Sequence, residues 1–496
     1  MRAAIVGAGV SGLTCGALLA AKGWQVSVYD VNDQVGGVCA LAHKGRYSWE
    51  QGQLLMGGFL PGEPAYELLA GLGIRLPTVR ADRGIAFPDF ELYKPKEYGG
   101  PDWRKKRLKE LFPSEASDLE RWYQAAARID RLGLKSAAGV KDIGMLFDWQ
   151  RLKKYQDRSA AQLMDDFFSD RRLKTVWTGI LADFCAYPSQ FPGLGVFGLN
   201  QETAFDTRIP LKRDDGLTEG GYCYLVGGMQ TLPEALAGYI QSHGGRIRLG
   251  TAVDKVLIGA AGAQGVRLAD GTEQPADLVI GSGGGREFFT DLVGLDNLDE
   301  GYRHVIETFQ PMDAVFMVHL GVDYDPRQFI GYDLIYNYGT YDIEGAVTRM
   351  RQGLYHGGDD GYLVYVPSNH APAMAPQGHW AMTIYTVAPD TLAHGDWAHD
   401  REAYADRLVA LAEEKFFPGL SRHVDERLVM TALEYRSLAH LHKSAFGGVT
   451  PILNQPNPAH VTPIKNLYFV GQQSENLGGV AAVMAGAKQT VKAIIG

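Results

Sequence analysis

Short apolar runs alternate with helical periodicity along most of the chain, and glycine punctuates nearly every change. Ala3 to Gly7 predicts a buried strand, Ser11 to Lys22 a helix and Gln25 to Asp30 a second strand, together a βαβ unit. Helical spacing returns over about 104–132, with Pro113 and Ser114 starting a helix, and again over Ser159 to Phe168 and Arg171 to Phe184. The turn-rich segment YPSQFPGLGVFG follows. From Gly220 the pattern becomes a glycine turn, a helix ended by Gly244-Gly245, a strand through Val253 to Ile258, a hairpin on Asp270-Gly271 and a buried strand running into a glycine loop. Short strands dominate about 307–388, a helix covers His399 to Lys415, and the tail reads as strand, glycine-bearing loop and closing helix. No internal repeat and no low-complexity linker interrupts the series.

A chain of 496 residues is too long for one core of ordinary size, so two domains are expected. Because the elements alternate, these domains interleave. One combines about 1–85, 220–300 and 435–496; the other, α+β with an antiparallel sheet and a helical cap, combines about 86–219 and 301–434. Hydrophobic residues at 46% and charged residues at 21% describe a well-packed globule. The net charge of −9 argues against a nucleic-acid partner, which needs concentrated positive charge. Cys15, Cys39, Cys185 and Cys223 show no paired spacing, which disfavours a disulfide framework or zinc site and fits a reducing cytoplasm. The apolar stretch Ala3 to Ala21 is broken by four glycines, so it reads as strand, turn and helix, not as a signal peptide. No run of 18 or more apolar residues follows, which disfavours a membrane-spanning protein.

Gly7-x-Gly9-x-x-Gly12 stands directly between a strand and a helix. Gly7 permits the tight turn, Gly9 lets backbone approach a pyrophosphate, and Gly12 allows close helix–strand packing. The helix N-terminus then offers free N–H groups and partial positive charge to a diphosphate. Asp30 ends the second strand, where a carboxylate accepts bonds from ribose hydroxyls. Turns in a plain α/β domain are the bland alternative, and NAD satisfies this much as well as FAD does. Gly36-Gly37 follows closely. At the other end, Leu467 to Val470 delivers Gly471, and Gly478-Gly479 opens the last helix, whose N-terminus would stabilise negative charge on a ligand beside it. A helix docked on its own sheet is the alternative there.

The N-terminal motif with its glycine pair resembles the dinucleotide-binding motif of glutathione-reductase-like flavoproteins, which implies FAD and a Rossmann-type α/β domain. Asp30 stands where members usually carry Glu, and Val38 and Cys39 where many carry a basic residue. Head and tail together resemble the phytoene desaturase and carotenoid isomerase family. Further signs are YLVGGMQTLPEALAGYIQSHGGRI, TAVDKV, PADLVIGSGG and YLVYVPSNHAPAMAPQGHWAMTIYT, so the resemblance spans the chain. It implies FAD contacts at Gly7, Gly9, Val10, Ser11, Gly12, Asp30, Gly36, Gly37, Val38, Val253, Gly283, Gly471, Gln472, Gly479 and Val480. It also implies hydride exchange between flavin N5 and a carbon–carbon bond of a long apolar substrate such as a polyene, carotenoid or other isoprenoid lipid. The tail reads QSENLGG where desaturases often show Thr-His-Pro-Gly, which points to another lipid or polyene.

Two other functions stay open on the sequence. A flavin amine oxidase shares the cradle but offers an aromatic cage and a lysine near the ring. A non-catalytic prenyl-binding escort protein shares the fold but loses the flavin site, whereas this chain keeps the cradle glycines and Asp30. Among weaker signals, His440-Leu441-His442 on a strand would share one face, but no acidic or cysteine partner is near in sequence, so no metal site is expected. The basic run Asp102 to Glu110 reads as a solvated helix face, with anionic lipid as the alternative. PSQFPGLGVFGL reads equally as a hydrophobic tunnel wall or a packed loop, and Tyr332, Tyr336, Tyr338 and Tyr341 as a pocket wall or packing. No residue is singled out as catalytic, since the flavin carries the chemistry. Cytoplasmic location with peripheral membrane contact and an electron acceptor or donor of unassigned identity complete the expectation.

Overall fold

A computed structural model describes the chain except for residues 53, 138–141, 214–215, 444–445 and 447. Two sheets organise it. In the first, Arg2–Val6 is central, flanked by Leu278–Ser282 and Gln25–Tyr29, with Leu467–Val470 and Arg246–Arg248 outside. Every pairing in it is parallel. Ala3, Ile5, Val28, Leu278 and Ile280 are buried, as strands covered on both faces require. Helices Val10–Ala20, Thr231–Ser242 and Val480–Ile495 cover one face. On the other face lies a small antiparallel sheet of Val253–Gly259, Gly262–Leu268 and Glu273–Pro275, whose Val256 and Val266 pack on Ala4 and Val279. The turn on Asp270-Gly271 falls where the sequence puts it, with the Asp270 carboxylate accepting the Thr272 N–H at 2.8 Å.

The second sheet has seven strands in the order Val424–Met430, Ala314–Val322, Trp380–Ala388, Gly361–Tyr365, Leu334–Tyr338, Arg83–Ala86, Glu91–Leu92. The expected antiparallel sheet is in fact mixed, because Leu334–Tyr338 pairs in parallel with Arg83–Ala86. Those strands lie about 250 residues apart along the chain, so no hairpin dictates their direction. Arg83–Ala86, which straddles the boundary expected at about residue 85, belongs to this sheet.

Helices Trp103–Leu111, Ala116–Ala137, Ile143–Leu152, Ala160–Phe167 and Arg171–Thr178 form a cap beside this sheet. The helical stretch expected over 104–132 divides at Pro113, which lacks an amide hydrogen and opens a short 3-10 turn. Trp122 stacks on Phe197 at 4.2 Å between centroids, at the centre of an aromatic core with Phe167, Phe168 and Trp177. The basic run is a corrected expectation. Arg104 is fully buried, bonded to Glu202 at 2.8 Å and sandwiched by the rings of Trp177 and Phe205. Trp103 and Leu108 are buried too, and both Lys105 and Lys109 pair with Glu120. The run is a structural helix whose charges are largely consumed by neighbours. Among the described residues, no helix is long and apolar enough to cross a membrane.

Candidate functional site

The first strand ends in a turn that only glycine can make. Gly7 has φ +105° and donates its N–H to the Tyr29 carbonyl at 2.8 Å, and a Cβ there would lie 2.5 Å from the Ser282 carbonyl oxygen. Gly12 serves packing, since a Cβ would come within 2.3 Å of the Gly7 oxygen. Gly9 differs from both. A Cβ there would meet no protein atom within 4 Å, so the chain leaves open space where backbone could approach a ligand. Gly9 also precedes the first helix, which has neither a side-chain cap nor an acid in its first turn. Its opening amides and its positive dipole end are therefore free for an anion.

The last helix repeats this arrangement from the opposite end of the chain. Gly479, with φ +97°, precedes Val480–Ile495, again without a side-chain cap or an early acid. The two helices pack together, the Cys15 thiol reaching the Ala487 carbonyl at 3.8 Å. Both starts open on one cavity of about 820 Å³. Every predicted cofactor contact lines it except Gly12: Gly7, Gly9, Val10, Ser11, Asp30, Gly36, Gly37, Val38, Val253, Gly283, Gly471, Gln472, Gly479 and Val480. Asp30 accepts the backbone N–H of Ala8 at 2.6 Å and of Asn32 at 2.8 Å. A carboxylate has about four acceptor positions, so capacity for sugar hydroxyls remains.

The same cavity is walled by residues of the cap and of the second sheet's connections, among them Phe184, Phe191, Leu199, Tyr222, Met312, Phe446, Val449 and Pro451. The segment PSQFPGLGVFGL thus does both of its expected jobs: Phe191, Gly195 and Leu199 face the cavity, while Phe197 packs in the cap core. The tyrosine cluster divides. Tyr336 and Tyr338 line a small side cavity, whereas Tyr332 packs on Tyr93, and Tyr341 stacks on Phe87 and bonds Asp89. His440 and His442 are not on a strand. His440 caps a helix in the left-handed region and bonds Asn32 at 3.1 Å, while His442 reaches Asp291 at 3.1 Å.

Sequence reasoning passed over Leu55, Met56 and Gly57 and the stretch Leu438 to Leu441, which also face the cavity. The glycine pair Gly57-Gly58 after an apolar run was an available signal for the first group. It also passed over Asp183, a carboxylate in the short 3-10 turn Gly179–Phe184, where the surrounding apolar residues hid it within an expected helix. Burial pushes the Asp183 carboxyl up to about 7, against the opposing pull of the Arg83 guanidinium.

A family model for flavin-containing amine oxidoreductases matches residues 10–495. The chain belongs to that family. This flavoenzyme is 25% identical to a neurosporene-forming phytoene desaturase of Rhodobacter capsulatus, over 97% of its own length and 92% of the relative's. It is 24% identical to a chloroplastic prolycopene isomerase of an Oncidium hybrid, over 97% and 81%. Among solved structures, an oxidoreductase from Methanosarcina mazei superposes with a TM-score of 0.66 at 20% identity, covering 99% of this chain and all of the other. The fold is accordingly the α/β fold of FAD-dependent amine oxidases, here with one parallel and one mixed sheet, and the chain is an FAD-dependent oxidoreductase similar to phytoene desaturases. The cradle fits that cofactor: it offers open space at Gly9, two uncapped helix starts and a carboxylate at the end of the second strand. FAD, when bound, supplies hydride acceptance and donation at its ring, and the protein supplies position and dryness.

Proposed function

We propose that this flavoenzyme exchanges hydride with a carbon–carbon bond of a long apolar molecule, a polyene or other isoprenoid lipid. The observation that carries the proposal is the single cavity that joins the glycine-lined cradle to walls of Phe191, Leu199, Tyr222, Met312, Phe446 and Pro451. At about 820 Å³ it falls within the roughly 300–1,000 Å³ of small-molecule clefts. In this proposal Gly7, Gly9, Val10 and Ser11 hold the diphosphate, Asp30 the ribose and Val253 the adenine. Gly36, Gly37, Val38, Gly283, Gly471, Gln472, Gly479 and Val480 frame the rest of the cofactor. The FAD domain would be of glutathione-reductase type, built from about 1–85, 220–300 and 435–496, less the strand Arg83–Ala86. The substrate domain would take the rest. Apolar walls orient the chain of the substrate and exclude water, which protects hydride transfer from competing reactions.

The family description raises amine oxidation as the rival activity. Among the described residues no lysine lines the cavity, which favours the apolar substrate. Anaerobic mixing of holoenzyme with a polyene or a primary amine, following flavin absorbance, tests the choice. Bleaching by the polyene, or reoxidation of reduced flavin by it, supports the proposal; bleaching by the amine alone overturns it.

Membrane contact forms a second part of the proposal, through a different element from the basic run. Helix Ile143–Leu152 turns Ile143, Leu146, Phe147 and Trp149 outward, with exposures of 72%, 53%, 54% and 44%. Arg151, Lys153 and Lys154 are exposed beside them. An apolar face rimmed by cations and carrying a tryptophan suits the headgroup boundary of an anionic membrane, where an apolar substrate would reside.

A further inference from the structure

In the parallel sheet, Arg2–Val6 lies between Gln25–Tyr29 and Leu278–Ser282, so the loops after those two strands stand on either side of the glycine turn. Residues 438–442 reach both loops. On one side Asn32 donates from Nδ2 to the Leu438 carbonyl at 3.1 Å, and its Oδ1 lies 3.1 Å from His440 Nε2. On the other side His442 donates its backbone N–H to Glu287 at 2.9 Å, and its Nε2 lies 3.1 Å from Asp291. Between these attachments Leu441 is buried against the backbone of Gly284, where a Cβ would lie 2.3 Å from Leu441 Cδ2. Leu438, His440 and Leu441 line the main cavity together with Asp30 and Val253.

The helix that carries this segment is fixed. Tyr435 of Ala432–Ala439 is buried and donates to the Gln51 carbonyl, and a capping box of Thr431 and Glu434 closes the helix start. Beyond it the hold is weaker. His440 turns the chain at φ +53°, and the side chains of His442 and Asp291 are 67% and 45% exposed, so water competes for their contact. One buried leucine and a few exposed bonds make a segment that opens at low cost while helix and sheet stay folded.

An adenosine held beside Asp30 and Val253 has to pass residues tied to both sides of it. We infer that residues 438–442 form a strap over the nucleotide end of the cradle, which opens to admit or release FAD and is otherwise shut. This rests on the placement of ribose and adenine proposed above. A gate and a simple contact differ in their effect on rates. A strap that opens equally in free and loaded protein, once weakened, speeds entry and exit by the same factor and leaves affinity alone. A lost contact to FAD speeds exit only.

The test chases FAD from the holoenzyme with excess 8-chloro-FAD, reading bound flavin by absorbance after rapid gel filtration. Uptake of FAD by apoprotein is followed in parallel by flavin fluorescence. Asn32→Ala removes both side-chain attachments on one side, and Glu287→Ala with His442→Ala removes those on the other. Either change should speed release roughly tenfold, speed uptake by a similar factor and keep the dissociation constant within about threefold. Should the Glu287 and His442 pair lower the melting temperature of the apoprotein, His442→Ala alone, at an exposed side chain, takes its place with release at least about threefold faster. Release unchanged on both sides overturns the strap. Faster release with unchanged uptake overturns it too, since these residues then only hold FAD. Asp30→Ala separates the two ways of failing. Affinity lost in Asp30→Ala, with exchange unchanged in the strap variants, removes the strap alone; affinity undiminished, with exchange unchanged, removes the nucleotide placement as well.

Discussion

The Asp30 carboxylate accepts the Ala8 amide at 2.6 Å, so the end of the second strand is tied to the glycine turn that ends the first. One side chain therefore shapes the cradle and lines it. Asp30→Ala should lose both roles. With charge-assisted bonds removed, FAD affinity should fall roughly tenfold to a hundredfold, measured by titrating apoprotein with FAD and following flavin fluorescence. An affinity within twofold of the unaltered protein would show that the ribose is held elsewhere.

The cradle glycines separate by what a methyl group would meet. Gly9→Ala has open space and a φ of −72°, which any residue adopts, so the apoprotein should keep its melting temperature while FAD binding collapses. Gly12→Ala drives a Cβ to within 2.3 Å of the Gly7 oxygen and should destabilise the apoprotein by about 1–3 kcal/mol. Thermal unfolding of both apoproteins, with FAD titration, checks the contrast. Equal losses of stability would remove the distinction between a ligand-facing and a packing glycine.

The legible parts of the molecule were those with local signatures. The βαβ unit, the glycine turn and the last helix are each written within about thirty residues, and the structure places Gly9 and Gly479 at helix starts on one cavity. The parallel pairing of Arg83–Ala86 was not legible, because it depends on where a strand lands and not on its pattern. Arg104 misled for a related reason. A cation inside a basic run reads as solvated until Glu202 and two aromatic rings arrive from elsewhere in the chain. Asp183 likewise acquires its meaning only from the burial imposed by the tyrosines of the second sheet.

Glu50 should make stability depend on pH. It is fully buried, accepts the Tyr224 hydroxyl and the Met229 N–H at 3.1 Å, and leaves Oε2 without a partner. Burial raises its carboxyl to about 7 from an ordinary 4.5. The folded state therefore binds this proton more tightly than the unfolded state, and stability falls as pH rises from about 4.5 to 7. The full effect is on the order of 3 kcal/mol, at about 1.4 kcal/mol per pKa unit. Glu50→Gln should flatten this slope, so its melting temperature relative to the unaltered protein should climb between pH 5 and pH 8. Parallel pH profiles for the two proteins would rule out Glu50 as the source.

Helix Ile143–Leu152 offers the sharpest test of membrane contact, because its fold role and its outward face are separable. Leu152 and Asp148 are buried, and Asp148 bonds Arg131 at 3.1 Å, so these inward residues hold the helix to its neighbours. Leu146 and Phe147 point outward and can change without touching that anchorage. Leu146→Ser with Phe147→Ser should leave the melting temperature and flavin content unchanged, since surface substitutions usually stay within about 0.5 kcal/mol. The same pair should cut co-flotation with vesicles containing phosphatidylglycerol by roughly tenfold or more, because two large side chains no longer enter the interface. Raising ionic strength should weaken binding of the unaltered protein, as the exposed Arg151, Lys153 and Lys154 are screened. Flotation that survives the double substitution would place the membrane contact on another face of the molecule.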